Sequence, residues 1–133
     1  NGDRIGFDVH LLDDANTVGI LARIGSSQDY SVGKYKVHVD EFEKLLFPYL
    51  HTTDQDYLII DEIGRMEFCS KQFKDFILKL MGGGQKFKVL ATVPLKTTDP
   101  IISRLKKDSK VFHITKSNRD SMFTAVIEQC SSN

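Results

Sequence analysis

The sequence predicts an α/β domain: a mostly parallel sheet flanked by helices, entered through an antiparallel β excursion at the N-terminal end. Two patterns carry that expectation. The first third alternates apolar and polar residues with period 2, and the remainder repeats short continuous apolar runs followed by helical periodicity. The size agrees, because 133 residues suit a single domain over residues 1–133 that buries roughly two-thirds of the unfolded chain's surface.

Ile5, Phe7, Val9 and Leu11 alternate with Arg4, Gly6, Asp8 and His10, as in a half-buried strand. Asp13, Asp14, Ala15 and Asn16 make a polar turn, and a second apolar run spans Val18 to Ile24. A loop from Gly25 to Gly33 leads to a third alternation at Tyr35, Val37 and Val39. From Asp40 the period changes. Asp40 and Glu43 have the spacing of an acidic capping box, and Phe42, Leu45, Leu46 and Tyr49 recur at helical intervals. Pro48 should end or kink that helix after about two turns.

Tyr57 to Ile60 is a continuous apolar run, as expected of a strand covered on both faces. Ser70 can cap a helix carrying Phe73, Phe76, Ile77 and Leu80, stopped by Gly82-Gly83-Gly84. The next strand runs from Phe87 to Val93, closed by Pro94. Asp99 as N-cap and Pro100 at the first helical position open a helix with Ile101, Ile102 and Leu105. A third strand, Val111 to Ile114, precedes a last helix with Met122, Phe123, Val126, Ile127 and Cys130 on one side. Such alternation implies parallel strands joined by right-handed crossovers.

Composition excludes several classes. With 18 basic and 18 acidic residues and a pI near 7.1, there is no footprint for bulk nucleic acid or an anionic membrane. No apolar stretch approaches the ~20 residues that span a bilayer, and no signal-peptide pattern opens the chain. Cys69 and Cys130 make neither a disulfide framework nor a zinc site, so a reducing, cytoplasmic setting is expected. Oligomeric state is not legible. The chain opens on Asn1 with a strand pattern close behind, and the expectation is a further segment upstream.

The most informative string is Tyr57-Leu58-Ile59-Ile60-Asp61-Glu62. In open α/β sheets the ligand crevice lies beyond the carboxyl ends of the strands, which is where two adjacent carboxylates would stand. Asp61 can hold Mg²⁺ through its water shell, and Glu62 can polarise a water for in-line attack on a phosphoryl group. The bland alternative is a strand ending in solvated acids. Thr92, in the Ala91-Thr92-Val93 exit of the next strand, can orient that water or sense a terminal phosphate, or can be a plain β-branched strand residue. No Gly-x-x-x-x-Gly-Lys-Ser/Thr loop occurs, and Gly82-Gly83-Gly84 follows a helix, so it reads as a helix stop and not as a phosphate cradle.

Asp61-Glu62-Ile63-Gly64-Arg65-Met66-Glu67 resembles the Asp-Glu-Ile-Gly-Lys/Arg-Met-Glu signature of the small P-loop nucleoside-triphosphatases, a family that includes thermophile and human cancer-related members. Arg4 to Val9, Val32-Gly33-Lys34-Tyr35-Lys36-Val37 with Phe42 and Glu43, Ala91 to Pro94, and Val111 to Asp120 resemble further family segments in the same order. Family members begin with a strand, a Walker A loop and its helix. Their first strand and phosphate loop are not among these residues.

The resemblance implies a P-loop NTPase-like fold and Mg²⁺-dependent hydrolysis of ATP, GTP and other nucleoside triphosphates by the intact protein. It gives Asp61 the metal and Glu62 the water, in a Walker B arrangement. It also places Asn118 and Arg119 where a base or ribose lies, against the alternative of an exposed helix start capped by Ser117 or Asn118. Arg65 and Arg104 can each neutralise phosphoryl charge or form surface ion pairs. His10, His38, His51 and His113 have no i,i+4 pair, and His113 reads as packed within its strand. Cys69 reads as structural. Two other functions stay open: a nucleotide or small-metabolite kinase whose Gly25–Gly33 loop closes over an acceptor, and a non-catalytic nucleotide-binding module lacking the phosphate loop.

Overall fold

The N-terminal alternation folds into antiparallel strands in the structure, a computed structural model that describes residues 3–12, 14–52 and 55–131. The chain divides into two units, Asn1–Thr97 and Thr98–Asn133. Both belong to an α/β fold with a parallel pair of strands, helices and a separate antiparallel sheet.

In the first unit, β1 (Gly6–Leu11), β2 (Asp14–Ile24), β3 (Tyr30–Val32) and β4 (Tyr35–Val37) form one antiparallel sheet in the order β1-β2-β4-β3. Phe7 stands opposite Ala22 and Ala22 opposite Val37, so one face gathers the apolar residues, and Ala22 and Val37 are fully buried. The expected turn at 13–16 is shorter than its composition suggests. Asp14 and Asn16 already belong to β2, and Asn1 and Asp13 lie outside the described residues.

The stretch from Gly25 to Gly33 is not wholly a loop, because Tyr30, Ser31 and Val32 pair with β4. Gly33, at φ +60°, takes the first of the two central positions of the hairpin, where the II′ turn requires positive φ. Val32-Gly33-Lys34-Tyr35 was the available signal.

α1 (Val39–Thr52) runs through Pro48 instead of stopping there. Phe42 and Phe47 are both buried, and this apolar stripe outweighs a proline penalty of about 3 kcal/mol. The capping box is also replaced. Glu43 accepts a hydrogen bond from the Ser70 hydroxyl at 2.5 Å, while Glu41 accepts from the Ile20 N–H.

β5 (Tyr57–Ile60) pairs in parallel with β6 (Lys88–Ala91), in register from Tyr57 opposite Lys88 to Ile60 opposite Ala91. β6 is shorter than the expected Phe87–Val93. Ile59 is 52% exposed, so β5 is not covered on both faces by the described residues. A continuous apolar run shows that a strand is apolar, not which faces its neighbours cover. α2 (Lys71–Met81) packs on α1 edge-to-face, with Phe42 and Phe73 centroids 5.5 Å apart and Phe47 and Phe76 6.3 Å apart. It ends at the glycines as expected, with Gly83 at φ +78°.

The second unit holds α3 (Pro100–Asp108) and α4 (Arg119–Ser131). Asp99 caps α3, its carboxylate accepting from Ile101 N at 2.8 Å and Ile102 N at 3.4 Å, with Pro100 at the first helical position. Val111 to Ile114 do not form a strand, and Val111 and Ile114 are about half exposed. A strand needs a neighbour's ladder as well as an apolar sequence, and no strand pairs with these residues among those described. His113, expected to be packed, is accordingly exposed. α4 presents Phe123, 67% exposed, and Ile127 on the side expected to face a core.

Ser70 joins α1 to α2. Its side chain is fully buried, donates to Glu43 and accepts from Phe73 N at 3.0 Å. Ser70→Ala leaves a buried helix N–H and a carboxylate without their partner. It should lower unfolding free energy by roughly 1–3 kcal/mol, read as a shifted urea midpoint at unchanged slope.

Candidate functional site

The site is built where two parallel strands end together. Beyond Ile60 and Ala91 the ladder continues for one more step, because Thr92 N donates to Ile60 O at 3.0 Å and Ile63 N donates to Thr92 O at 2.9 Å. Between those two bonds stand Asp61 and Glu62, joined by a cis peptide. The Thr92 hydroxyl donates to Asp61 Oδ1 at 2.6 Å. Thus Asp61 and Thr92, expected at neighbouring strand ends, are brought into direct contact.

Asp61 and Glu62 are exposed, whereas Ile63 and Gly64 behind them are buried. From Gly64 the chain enters a short 3-10 turn at Glu67–Cys69, with Phe68 N donating to Gly64 O at 3.0 Å. This turn returns a third carboxyl to the site, since Glu67 Oε1 accepts from Gly64 N at 2.9 Å. A Cβ on Gly64 would stand 3.1 Å from Glu67 Oε1 and 3.3 Å from Glu62 Oε1. The lack of a side chain at 64 is what admits both carboxyls.

Glu67 titrates far from an ordinary carboxylic acid, pushed up from 4.5 to about 7. Burial is the largest cause, opposed by its own N–H and that of Gly64, and reinforced by the negative charges of Glu62 and Asp61. Asp61 and Glu67 both line an apolar cavity of about 180 Å³, whose wall includes Leu46, Tyr49, Leu58 and Phe73. The acid cluster is therefore amphiphilic: two carboxylates in water, and one held against hydrocarbon. Sequence reasoning missed Glu67 as a site residue. Its place at the end of the Asp61–Glu67 string was visible, but its return to Gly64 was not.

No group of three or more His, Cys, Asp or Glu side chains is arranged around a common metal position among the described residues. The donor set on offer is one oriented carboxylate in water. That suits Mg²⁺, which keeps several waters, and does not suit an all-protein zinc cage.

Arg65 is exposed and forms no ion pair among the described residues. Its carbonyl accepts from Cys69 Sγ at 3.5 Å. Burial, helped by Glu67, pushes the Cys69 thiol up against the opposing pull of Arg65 and Lys74, as fits a structural cysteine. His38 bonds Ser26 Oγ at 2.9 Å, and the side chain of His51 lies outside the described residues.

In the second unit Asn118 ties its own turn. Its Oδ1 accepts from Thr115 N at 2.6 Å and its Nδ2 donates to His113 O at 2.9 Å, just ahead of α4. Arg119 is exposed, 3.9 Å from Asp120. Arg104 pairs with Asp108 along α3 at 3.5 Å, the surface role weighed for it above.

The family model described as NTPase matches residues 1–127. The chain is 34% identical over 131 residues to nucleoside-triphosphatase THEP1 of Thermotoga sp. (strain RQ2), covering 96% of this chain and 72% of that one. A crystal structure of THEP1 from the hyperthermophile Aquifex aeolicus superposes with a TM-score of 0.85 at 27% identity, covering 96% of this chain and 78% of that one. A solution structure of a human cancer-related nucleoside triphosphatase gives 0.75 at 31% identity, covering 99% and 76%.

The Glu67 shift fixes a pH dependence of stability. The folded state binds the Glu67 proton up to about pH 7, whereas the unfolded chain releases it near 4.5. That stabilisation is complete below 4.5, declines as pH rises towards 7, and is absent above. Glu67→Gln lacks this decline. Relative to the parent it should gain stability between pH 5 and pH 8, by up to about 3 kcal/mol, in urea titrations at the two pH values.

Proposed function

The chain belongs to the NTPase family of nucleoside-triphosphatases, and from that premise we propose that the intact protein hydrolyses nucleoside triphosphates to diphosphate and phosphate in a Mg²⁺-dependent reaction. Glu62 activates the attacking water and Asp61 holds the metal. The observation that carries this assignment is the Asp61-Glu62 pair at the carboxyl end of a parallel strand, with Asp61 fixed by Thr92. The names of its relatives support the reaction class.

When bound, Mg²⁺ supplies charge neutralisation at the phosphate oxygens. The protein's own residues do the rest. Thr92 fixes one carboxylate oxygen of Asp61, leaving the carboxylate turned towards solvent and ligand. Glu62 accepts no hydrogen bond among the described residues, so its carboxylate is open to a water molecule. The water oxygen bonds to the terminal phosphorus as its proton passes to Glu62, and the bond from phosphorus to the leaving diphosphate breaks.

Arg65, exposed beside the pair, serves as a counter-charge to the phosphoryl group. Asn118 and Arg119 take the base or ribose, Asn118 by shaping the turn and Arg119 by direct contact. The family match running through both units supports reading residues 1–133 as one domain. The grip on the β and γ phosphates is not assigned to any of these residues.

The kinase alternative rested on a loop from Gly25 to Gly33 closing over an acceptor. Tyr30 to Val32 of that stretch are tied into the antiparallel sheet. No helix among the described residues is long and apolar enough to cross a membrane. A cytoplasmic setting is proposed from the sequence, in which Cys69 and Cys130 make up no disulfide framework.

The test is phosphate release from ATP and GTP by the full-length gene product, with and without Mg²⁺. Glu62→Gln should lower kcat by roughly 10²–10⁴-fold while ATP binding stays within a few-fold, and unchanged turnover removes Glu62 from its role. Thr92→Val removes the hydroxyl that fixes Asp61. It should raise the Mg²⁺ concentration giving half-maximal rate by roughly 10–100-fold.

A further inference from the structure

We propose that Glu67 is the positioning residue for Glu62, holding the turn that carries it and walling one side of its carboxylate. The inference rests on the water-activating role given to Glu62 above and adds a residue to which no role has yet been given.

The argument begins with what holds Glu62. Its own carboxylate has no hydrogen-bond partner among the described residues, so its direction is set by the backbone beneath it and by what stands beside it. The backbone beneath is a closed loop. Ile63 N is bonded to Thr92 O, Gly64 O accepts from Phe68 N, and Gly64 N is taken by Glu67 Oε1 at 2.9 Å. Of these three ties only the last comes from a side chain, and it is the one a point substitution can remove.

What stands beside Glu62 is again Glu67. Both carboxyls converge on the open side of Gly64, each with an oxygen within 3.3 Å of the point a Cβ would occupy. Two ionised carboxylates meeting there would repel, and Glu62 would turn away from the turn. A neutral carboxyl does not push, and the desolvated setting of Glu67 favours the neutral form. Glu67 can thus share the open side of Gly64 with Glu62 and limit the directions left to it.

This differs from a general stabilising role in one measurable respect. A residue that acts through Glu62 has nothing left to act on when Glu62 cannot take a proton. In the full-length protein, kcat and KM for ATP with Mg²⁺ are measured for Glu67→Ala, Glu67→Gln, Glu62→Gln and the double variant Glu62→Gln with Glu67→Ala. Melting temperature and ATP affinity are recorded for each. Glu67→Ala should lower kcat by about 10-fold or more with KM and ATP affinity within about 2-fold, and Glu67→Gln should recover most of that loss. On the Glu62→Gln background, Glu67→Ala should lower kcat less than about 2-fold further.

Full additivity in the double variant overturns the proposal, as does an effect confined to KM or to melting temperature. If Glu67→Ala does not fold, Gly64→Ala takes its place. Its methyl would press on both carboxyls, and the same loss of kcat, silent on the Glu62→Gln background, is expected, with an additive loss again overturning the assignment. A Glu62→Gln enzyme with full turnover sinks the water-activating role itself. Additivity in an enzyme sensitive to Glu62→Gln sinks only the part given to Glu67.

Discussion

Thr92 commits each of its polar groups to the strand end beside it: its N–H to Ile60 O, its carbonyl to Ile63 N, and its hydroxyl to Asp61 Oδ1. Everything proposed for the site depends on this three-point tie. A backbone leaving a strand has donors and acceptors that must find partners, and here those of Ile60 and Ile63 find them on one residue of the neighbouring strand. Asp61 and Glu62, lying between the two anchored positions, project from a fixed base. The parallel pairing of β5 with β6 makes this possible, because only in a parallel pair do two strands deliver their carboxyl ends to the same edge.

The second constraint is the crowding of three acidic residues into seven positions with no arginine or lysine ion pair among the described residues to relieve it. Two like charges about 4 Å apart near a protein surface repel by about 4 kcal/mol, more than most single hydrogen bonds contribute. The structure separates them by environment. Asp61 and Glu62 remain in water, and Glu67 turns in towards Leu58 and Phe73, where burial raises its pKa to about 7. Burial is the largest cause of that shift and the two neighbouring charges are smaller ones. Its pKa would therefore stay raised even if either neighbour were neutralised.

Features governed by a few adjacent residues were legible in the sequence. Asp99-Pro100 pointed to a helix start, Ser70 had the right distance to Phe73 to cap one, and the glycines after Met81 pointed to a helix end. The Asp61-Glu62 pair was legible for the same reason, since an apolar run ending in acids fixes a strand end. Features decided by distant partners were not. Pro48 sits in a helix because Phe42 and Phe47 are buried against other elements, and Glu43 leaves its expected cap because Ser70 lies across from it. Val111 to Ile114 have the composition of a strand and no ladder among the described residues. Glu67 belongs to this second group, because it is close to Gly64 in sequence but the cavity it lines is walled by residues of β1, α1, β5 and α2.

Asp61 and Glu62 are adjacent and chemically alike, yet the structure treats them differently. Asp61 has a short side chain with one oxygen bound to a hydroxyl on another strand, so few orientations remain to it. Glu62 carries one more methylene and no hydrogen bond, so its freedom is limited only by its turn and by the carboxyl beside it. A ligand for a hard cation gains from fixed direction, because reorienting it would cost rotamer entropy at each binding event. A base must follow a proton from water to carboxylate and needs some latitude, but only within a fraction of an ångström. The longer, unbonded side chain confined on one side meets that second requirement, and the shorter, tethered one meets the first. Exchanging Asp and Glu between the two positions would place the Thr92 tether on the longer side chain and the open carboxylate on the shorter one.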